Sequence, residues 1–132
     1  MRLTIVLRRA YDPPAPRDGP RVLVDRVWPR GVSTQRLKIV AWLKEIGPST
    51  PLRKWFGHDP ARWPVFRARF RKELAAKEPL LDELAGYARR GRLTLVFGAR
   101  DSEHNQAVVI KEELNRRGLR SSRRRRRPQL SG

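Results

Sequence analysis

The chain has 132 residues, 39% of them hydrophobic, and a formal charge of +18 from 31 Lys and Arg against 13 Asp and Glu. That length suits one domain with a moderate core rather than two. The absence of cysteine excludes disulfides, thiolate nucleophiles and Cys-based zinc or iron–sulfur sites, and no apolar run approaches the ~20 residues of a membrane span.

The opening Met1–Leu7 is too short for a secretory signal, so an unexported, cytoplasmic protein that does not enter a membrane is expected. Leu3, Ile5 and Leu7 alternate with Thr4 and Val6 in the period of a strand. The prolines of Tyr11-Asp12-Pro13-Pro14-Ala15-Pro16 then force an extended connection, which Asp18-Gly19-Pro20 closes. Val22-Leu23-Val24 reads as a strand covered on both faces, ending at Asp25-Arg26. Ser33 or Thr34 can cap a helix carrying Leu37, Val40, Ala41 and Lys44, which Gly47-Pro48 stops.

Residues 52–58 predict a short helical turn, and Asp59-Pro60 supplies an N-cap and an N1 proline for the next helix. There Trp63, Phe66, Phe70 and Leu74 draw one apolar stripe, so Trp63 reads as core. Pro79 opens a further helix with Leu80, Leu81, Leu84, Ala85 and Ala88, and Gly91 follows it as the C′ residue. Leu93–Phe97 is the third clear strand, and Asp101 or Ser102 can cap a last helix bearing Ala107, Val108, Ile110 and Leu114.

Strands alternating with helices predict an α/β domain over residues 1–119, a small, mainly parallel β-sheet packed by α-helices in Rossmann-like layers. Three strands are clear, so the sheet is small or holds one more. Residues 120–132 contain Arg120 and Arg123–Arg127, no acid and no apolar periodicity, which predicts a disordered basic tail. Without those arginines the rest of the chain still carries a formal +12.

In an open parallel sheet, ligands sit beyond the carboxyl ends of the strands. Two such ends are densely polar, Asp25-Arg26-Val27-Trp28-Pro29-Arg30-Gly31 and Gly98-Ala99-Arg100-Asp101-Ser102-Glu103-His104-Asn105. Through these two, together with Tyr11-Asp12-Pro13-Pro14, Trp55-Phe56-Gly57-His58-Asp59-Pro60 and the continuation Gln106-Ala107, the chain resembles the YeaO-like domains, a family of unknown function. The likeness covers about residues 1–118 and leaves the tail outside. It implies an α/β domain with a shared polar pocket at the two strand ends, and no particular reaction. The resemblance extends to more divergent branches that look to carry a cysteine near the position of His104-Asn105; this chain has none, so thiol chemistry does not carry over.

Arg26, Arg30 and Arg100 are of the right type to form a forked anion site, helped by the backbone N–H groups of residues 101–104. The competing reading pairs Arg26 with Asp12 or Asp25, and Arg100 with Asp101, as architecture alone. His58 and His104 are the only histidines, and Asp25, Asp59 and Asp101 are candidate carboxylates to orient them. His104 with Asp25 and Asp101 forms the candidate catalytic set. Arg26, Trp28, Arg30, His58, Arg100 and Asn105 form the candidate ligand-binding set. His58 can equally be a turn residue beside the Asp59 cap.

Two imidazoles and two carboxylates suit zinc or iron by type, but their spacing matches no local ligand pattern, so no metal is expected. Neither GxxxxGK[ST] nor GxGxxG follows a strand, so no cofactor is expected. The first functional expectation is therefore a small anionic-ligand-binding domain, with acid–base chemistry as an open addition. The alternative is a nucleic-acid-binding or regulatory protein that uses its basic surface and Arg-rich tail. Only six of the 31 cations are lysine, so an arginine-rich composition alone explains part of the charge.

Overall fold

The computed structural model describes residues 3–126, with side chains as far as residue 118. Strands β1 (Thr4–Arg9), β2 (Arg21–Leu23), β3 (Ala41–Trp42) and β4 (Arg92–Phe97) form one sheet in the order β1-β4-β2-β3. Every pairing is parallel, with Thr4 opposite Arg92, Arg21 opposite Thr94 and Val22 opposite Ala41. The chain thus forms the expected α/β domain. Strand β4 lies inside the sheet and is buried from Leu93 to Phe97, which is why its sequence is almost continuously apolar instead of alternating. In the same way Val22 and Val24 enter the larger core, while Leu23 joins Val96 on the opposite face.

The fourth strand occupies residues whose spacing predicts helix. Helix α1 spans only Thr34–Leu37, capped by Ser33, whose Oγ accepts from the Arg36 N–H at 3.1 Å. Lys38 then takes a left-handed conformation at φ 52° and ends the helix. Beyond it Ile39 and Val40 favour extended backbone. Val40 N–H donates to Arg21 O at 2.8 Å and Leu43 N–H to Leu23 O at 3.0 Å, so the chain zips onto the free edge of β2. Those buried carbonyls need partners, and a helix at this position would leave them without any. A single 3₁₀ turn, Lys44–Ile46, leads into Gly47-Pro48.

Helices α2 (Thr50–Phe56), α3 (Trp63–Ala75), α4 (Glu78–Arg90) and α5 (Gln106–Arg126) all contribute to one core. Phe56, Phe66, Phe70 and Leu74 meet Leu81, Leu84, Ile110 and Leu114 there, against Ile5, Val22, Leu93, Leu95 and Phe97 of the sheet. The expected stripe on α3 is this contact, with Phe56 stacked on Phe66 at 4.2 Å and Phe66 on Phe70 at 5.7 Å. Asp59 caps as its sequence predicts, but the turn it starts is 3₁₀ (Pro60–Arg62), and α3 proper begins at Trp63.

The other face of the sheet is closed by α1 and by the proline-rich connection. Asp18, 1% exposed, is its rivet. Its Oδ2 accepts from Arg21 Nη1 at 2.6 Å and from the Ala15 N–H at 3.0 Å, and its Oδ1 from Arg8 Nε at 3.2 Å. Thr94 Oγ1 donates to the Asp18 carbonyl at 2.6 Å. Gly19 follows at φ 65°, where a Cβ would lie 2.5 Å from Arg92 O, so only glycine lets the loop approach the sheet so closely.

The expectation of disorder for residues 120–132 falls on the part whose side chains, and from residue 127 whose backbone, lie outside the described residues. Among the described residues no helix is long and apolar enough to cross a membrane.

Candidate functional site

Beyond their carboxyl ends, β2 and β4 stay together for one more step, since Val24 N–H donates to Val96 O at 3.0 Å. Asp25 and Gly98 therefore emerge side by side. Asp25 Oδ2 accepts from the Gly98 N–H at 2.7 Å, and its Oδ1 accepts from Nε2 of Gln106, in the first turn of α5. One carboxylate thus joins two strand ends and a helix start. A Cβ on Gly98 would lie 2.9 Å from Asp25 Oδ2, so the glycine makes room for the carboxylate. Burial drives the Asp25 carboxyl up to about 6, and the bonds from Gly98 and Gln106 pull the other way without cancelling it.

A cavity of about 190 Å³ opens here. Asp25, Arg26, Arg53, His58, Asn105 and Gln106 line it, together with the rings of Phe56 and Phe66. Arg26 is held by its surroundings. Its Nε donates to Pro48 O at 2.6 Å and Gly47 O at 3.2 Å, and its Nη1 lies 3.5 Å from Glu45 Oε2. Its acid partner is thus Glu45, not Asp12 or Asp25. Gly47 O also accepts from Lys77 Nζ at 2.8 Å, so two cations clamp the bend before α2. Arg53 is exposed on α2, and its guanidinium makes no hydrogen bond among the described residues.

His58 follows the helix-terminating Gly57, and the two residues take left-handed φ values of 58° and 53° in succession. This tight reversal carries the imidazole to the cavity, with its ring 6.2 Å from that of Phe56. A non-glycine residue at positive φ is uncommon, although histidine tolerates it better than most.

His104 belongs to a neighbouring arrangement. Its Nδ1 lies 2.8 Å from Asp101 Oδ2, and its ring meets Trp63 edge-on at 5.2 Å. Asp101 Oδ1 accepts from the N–H groups of Glu103 and His104 at 2.9 and 3.0 Å. Chiefly the Glu103 N–H, and then the His104 side chain, hold the Asp101 carboxyl below the usual range. Neither His104 nor Asp101 lines the cavity. The α5 cap is Asn105, whose Oδ1 accepts from the Val108 N–H at 3.2 Å while its Nδ2 donates to Asp101 O at 2.8 Å. Asp101 and Ser102, the two expected candidates for the cap, lie before it, and Asp101 shapes the turn that precedes the helix.

Of the nine residues singled out in the sequence, the cavity gathers Asp25, Arg26, His58 and Asn105. Arg30 and Arg100 are exposed and off its lining, so the three-arginine fork does not assemble around it. The expected Arg100–Asp101 ion pair is absent among the described residues. Trp28 faces the smaller core, donates from Nε1 to Val32 O at 2.6 Å and packs edge-on against Trp42 at 5.3 Å. Sequence reasoning missed Arg53 and Gln106. Arg53 sits inside the predicted helical turn, where nothing distinguishes it from other exposed arginines, whereas Gln106 lies within the last of the motifs that carry the family resemblance.

Comparison with known proteins agrees with that resemblance. Residues 4–130 match the family model described as the inactive DUF488-N3 subclade. The chain is 40% identical over 112 residues to the uncharacterized protein YeaO of Escherichia coli (strain K12), covering 85% of this chain and 97% of the relative. It is 37% identical over 109 residues to an uncharacterized protein of Mycobacterium tuberculosis (strain ATCC 25618 / H37Rv), covering 83% of this chain and 92% of the relative. No solved structure matches the chain. The chain belongs to the YeaO-like family, within the inactive DUF488-N3 subclade.

Proposed function

We propose that the cavity at the carboxyl ends of β2 and β4 binds a small anionic ligand. The balance of charge on its lining carries this reading. Among the described residues Arg53 and Arg26, the latter also approached by Glu45 from outside the lining, stand against one lining acid, Asp25, whose two oxygens are engaged by Gly98 and Gln106. Arg53 offers a free fork for a carboxylate or phosphate. His58 adds a polar edge, and Phe56 and Phe66 give an apolar wall for the rest of the ligand. The family description, an inactive subclade, favours binding over turnover.

Thermal unfolding with a panel of inorganic phosphate, acetate and malonate tests this. Because phosphate also stabilises proteins by exclusion from their surfaces, the informative quantity is the difference between wild type and Arg53→Ala. The binding reading expects a rise in Tm that Arg53→Ala removes and Arg89→Ala, on α4, retains. A rise of the same size in wild type and Arg53→Ala contradicts it.

An acid–base activity using His104, Asp25 and Asp101 has in its favour the 2.8 Å Asp101–His104 pair and an Asp25 carboxyl close to neutrality. His104 lies off the cavity lining, which makes this the second reading.

A further inference from the structure

We propose that the outer surface of α2 and α3 around Trp55 binds the phosphodiester backbone of a nucleic acid. Ion pairing sorts the cations of these helices into two sets. Arg67 gives Nε and Nη2 to Glu112 of α5 at 2.8 and 2.9 Å, and Arg71 approaches the same carboxylate at 3.9 Å. Those two hold α3 against α5. Arg62 and Arg69 converge instead on Trp55, with their guanidinium carbons 5.2 and 4.8 Å from the ring centroid. Arg62 also donates to the Trp55 carbonyl and lies 3.7 Å from the Asp59 carboxylate. Among the described residues Arg69 has no carboxylate within 4.0 Å.

Lys54 adjoins Trp55 on α2, and Lys72 lies one turn beyond Arg69 on α3; both are exposed, and neither pairs with an acid among the described residues. From residue 50 to 72 the sequence holds one acid, Asp59. The patch is therefore positive by the pairing of its residues and not merely by the chain's total.

An arginine laid on an indole is held by cation–π attraction, so less of its freedom remains to be lost when its N–H edge meets a phosphate. Both guanidiniums lie about 5 Å from one ring, close enough to engage neighbouring phosphates of one strand. A partner with repeated charges can satisfy Lys54, Arg62, Arg69 and Lys72 together, and phosphodiester binding gains further from counterion release. The cations address the charged backbone rather than the bases, so no sequence preference follows.

The test uses the full chain and a labelled single-stranded DNA of about 20 nucleotides, with anisotropy read from roughly 50 to 300 mM KCl, where each phosphate contact steepens the plot of log K against log salt by about 0.7. Arg62→Ala/Arg69→Ala should flatten that slope by about 1.4. Arg89→Ala/Arg90→Ala, which removes the same charge from α4, should flatten it much less, and Arg62→Lys/Arg69→Lys should preserve it. Arg26 and Arg53 stay intact in every variant, so the outcome is independent of the small-anion reading. Equal flattening by the two alanine pairs, no flattening by Arg62→Ala/Arg69→Ala, or no binding by the wild-type chain would each overturn the proposal.

Discussion

The Asp25 carboxylate accepts the Gly98 N–H at 2.7 Å, and this bond joins the ends of two parallel strands that are 73 residues apart in sequence. Among the described residues the same side chain is the sole acid on the cavity lining, so it links the stability of the fold to the chemistry of the site.

The first prediction concerns pH. The Asp25 carboxyl lies at about 6 in the folded chain, against 3.8 for the free side chain. Between those values the folded state holds the proton more firmly than the unfolded one. Its contribution is therefore complete below about pH 4 and lost as pH rises through about 6, a change on the order of 3 kcal/mol. Urea unfolding of wild type and Asp25→Asn across pH 4 to about 7.5 should differ by that trend, because asparagine keeps an acceptor for Gly98 but cannot ionise. Parallel stability profiles would show that Asp25 titrates as it does in the unfolded chain.

Arg26 and Arg53 line one cavity but should respond differently to truncation. Arg26 ties the Gly47-Pro48 bend to β2 through charged hydrogen bonds, so Arg26→Ala should lose about 1.5–3 kcal/mol of stability. Arg53→Ala should stay within about 0.5 kcal/mol of wild type while losing anion binding. Chemical denaturation of both variants checks this, and equal destabilisation would remove the distinction.

Asp18→Ala should be among the most damaging single changes. Burial alone would raise the Asp18 carboxyl, but the Ala15 N–H, Arg21 and Arg8 outweigh it and hold it below its ordinary value. Truncation leaves Arg21, 4% exposed, as a buried cation without its acid, at a cost of about 3–5 kcal/mol. The connection over residues 11–20 should also become the first site of limited proteolysis. A loss below about 1 kcal/mol, measured by urea unfolding, would mean that the loop is held by something else.

Gly98→Ala tests the packing of the clasp. The new Cβ would meet Asp25 Oδ2 at 2.9 Å, so the carboxylate must shift. Overpacking of this kind costs about 1–3 kcal/mol. Anion binding should weaken along with stability; an unperturbed Asp25 titration in this variant, followed by carboxyl-carbon NMR, would argue against the close approach.

Much of the architecture was legible in the sequence because it rests on local rules. Residues 22–24 and 93–97 announce doubly covered strands by continuous apolarity, and Asp59-Pro60 marks a turn start by two coincident preferences. β3 was not legible, because it depends on the open edge of β2, which is a tertiary feature. Leu37, Val40, Ala41 and Lys44 keep helical spacing, yet Lys38 reverses the backbone and the pairing of Val40 and Leu43 with β2 prevails. At the cavity, Asp25 and Arg26 could be located from their place after a strand. The separation of Arg30 and Arg100 from them could not, because the direction of an exposed loop arginine is set by neighbours distant in sequence. Arg53 shows the reverse, an ordinary helix cation brought to the cavity by the packing of α2.

The most direct test of the central claim is an amide NMR titration of the full chain with inorganic phosphate at constant ionic strength. Binding in the cavity predicts saturable shifts clustered at residues 25–27, Arg53, His58, Gly98, Ala99 and Gln106, and their loss in Arg53→Ala. Shifts that grow linearly without saturation, or that cluster away from the ends of β2 and β4, would contradict it.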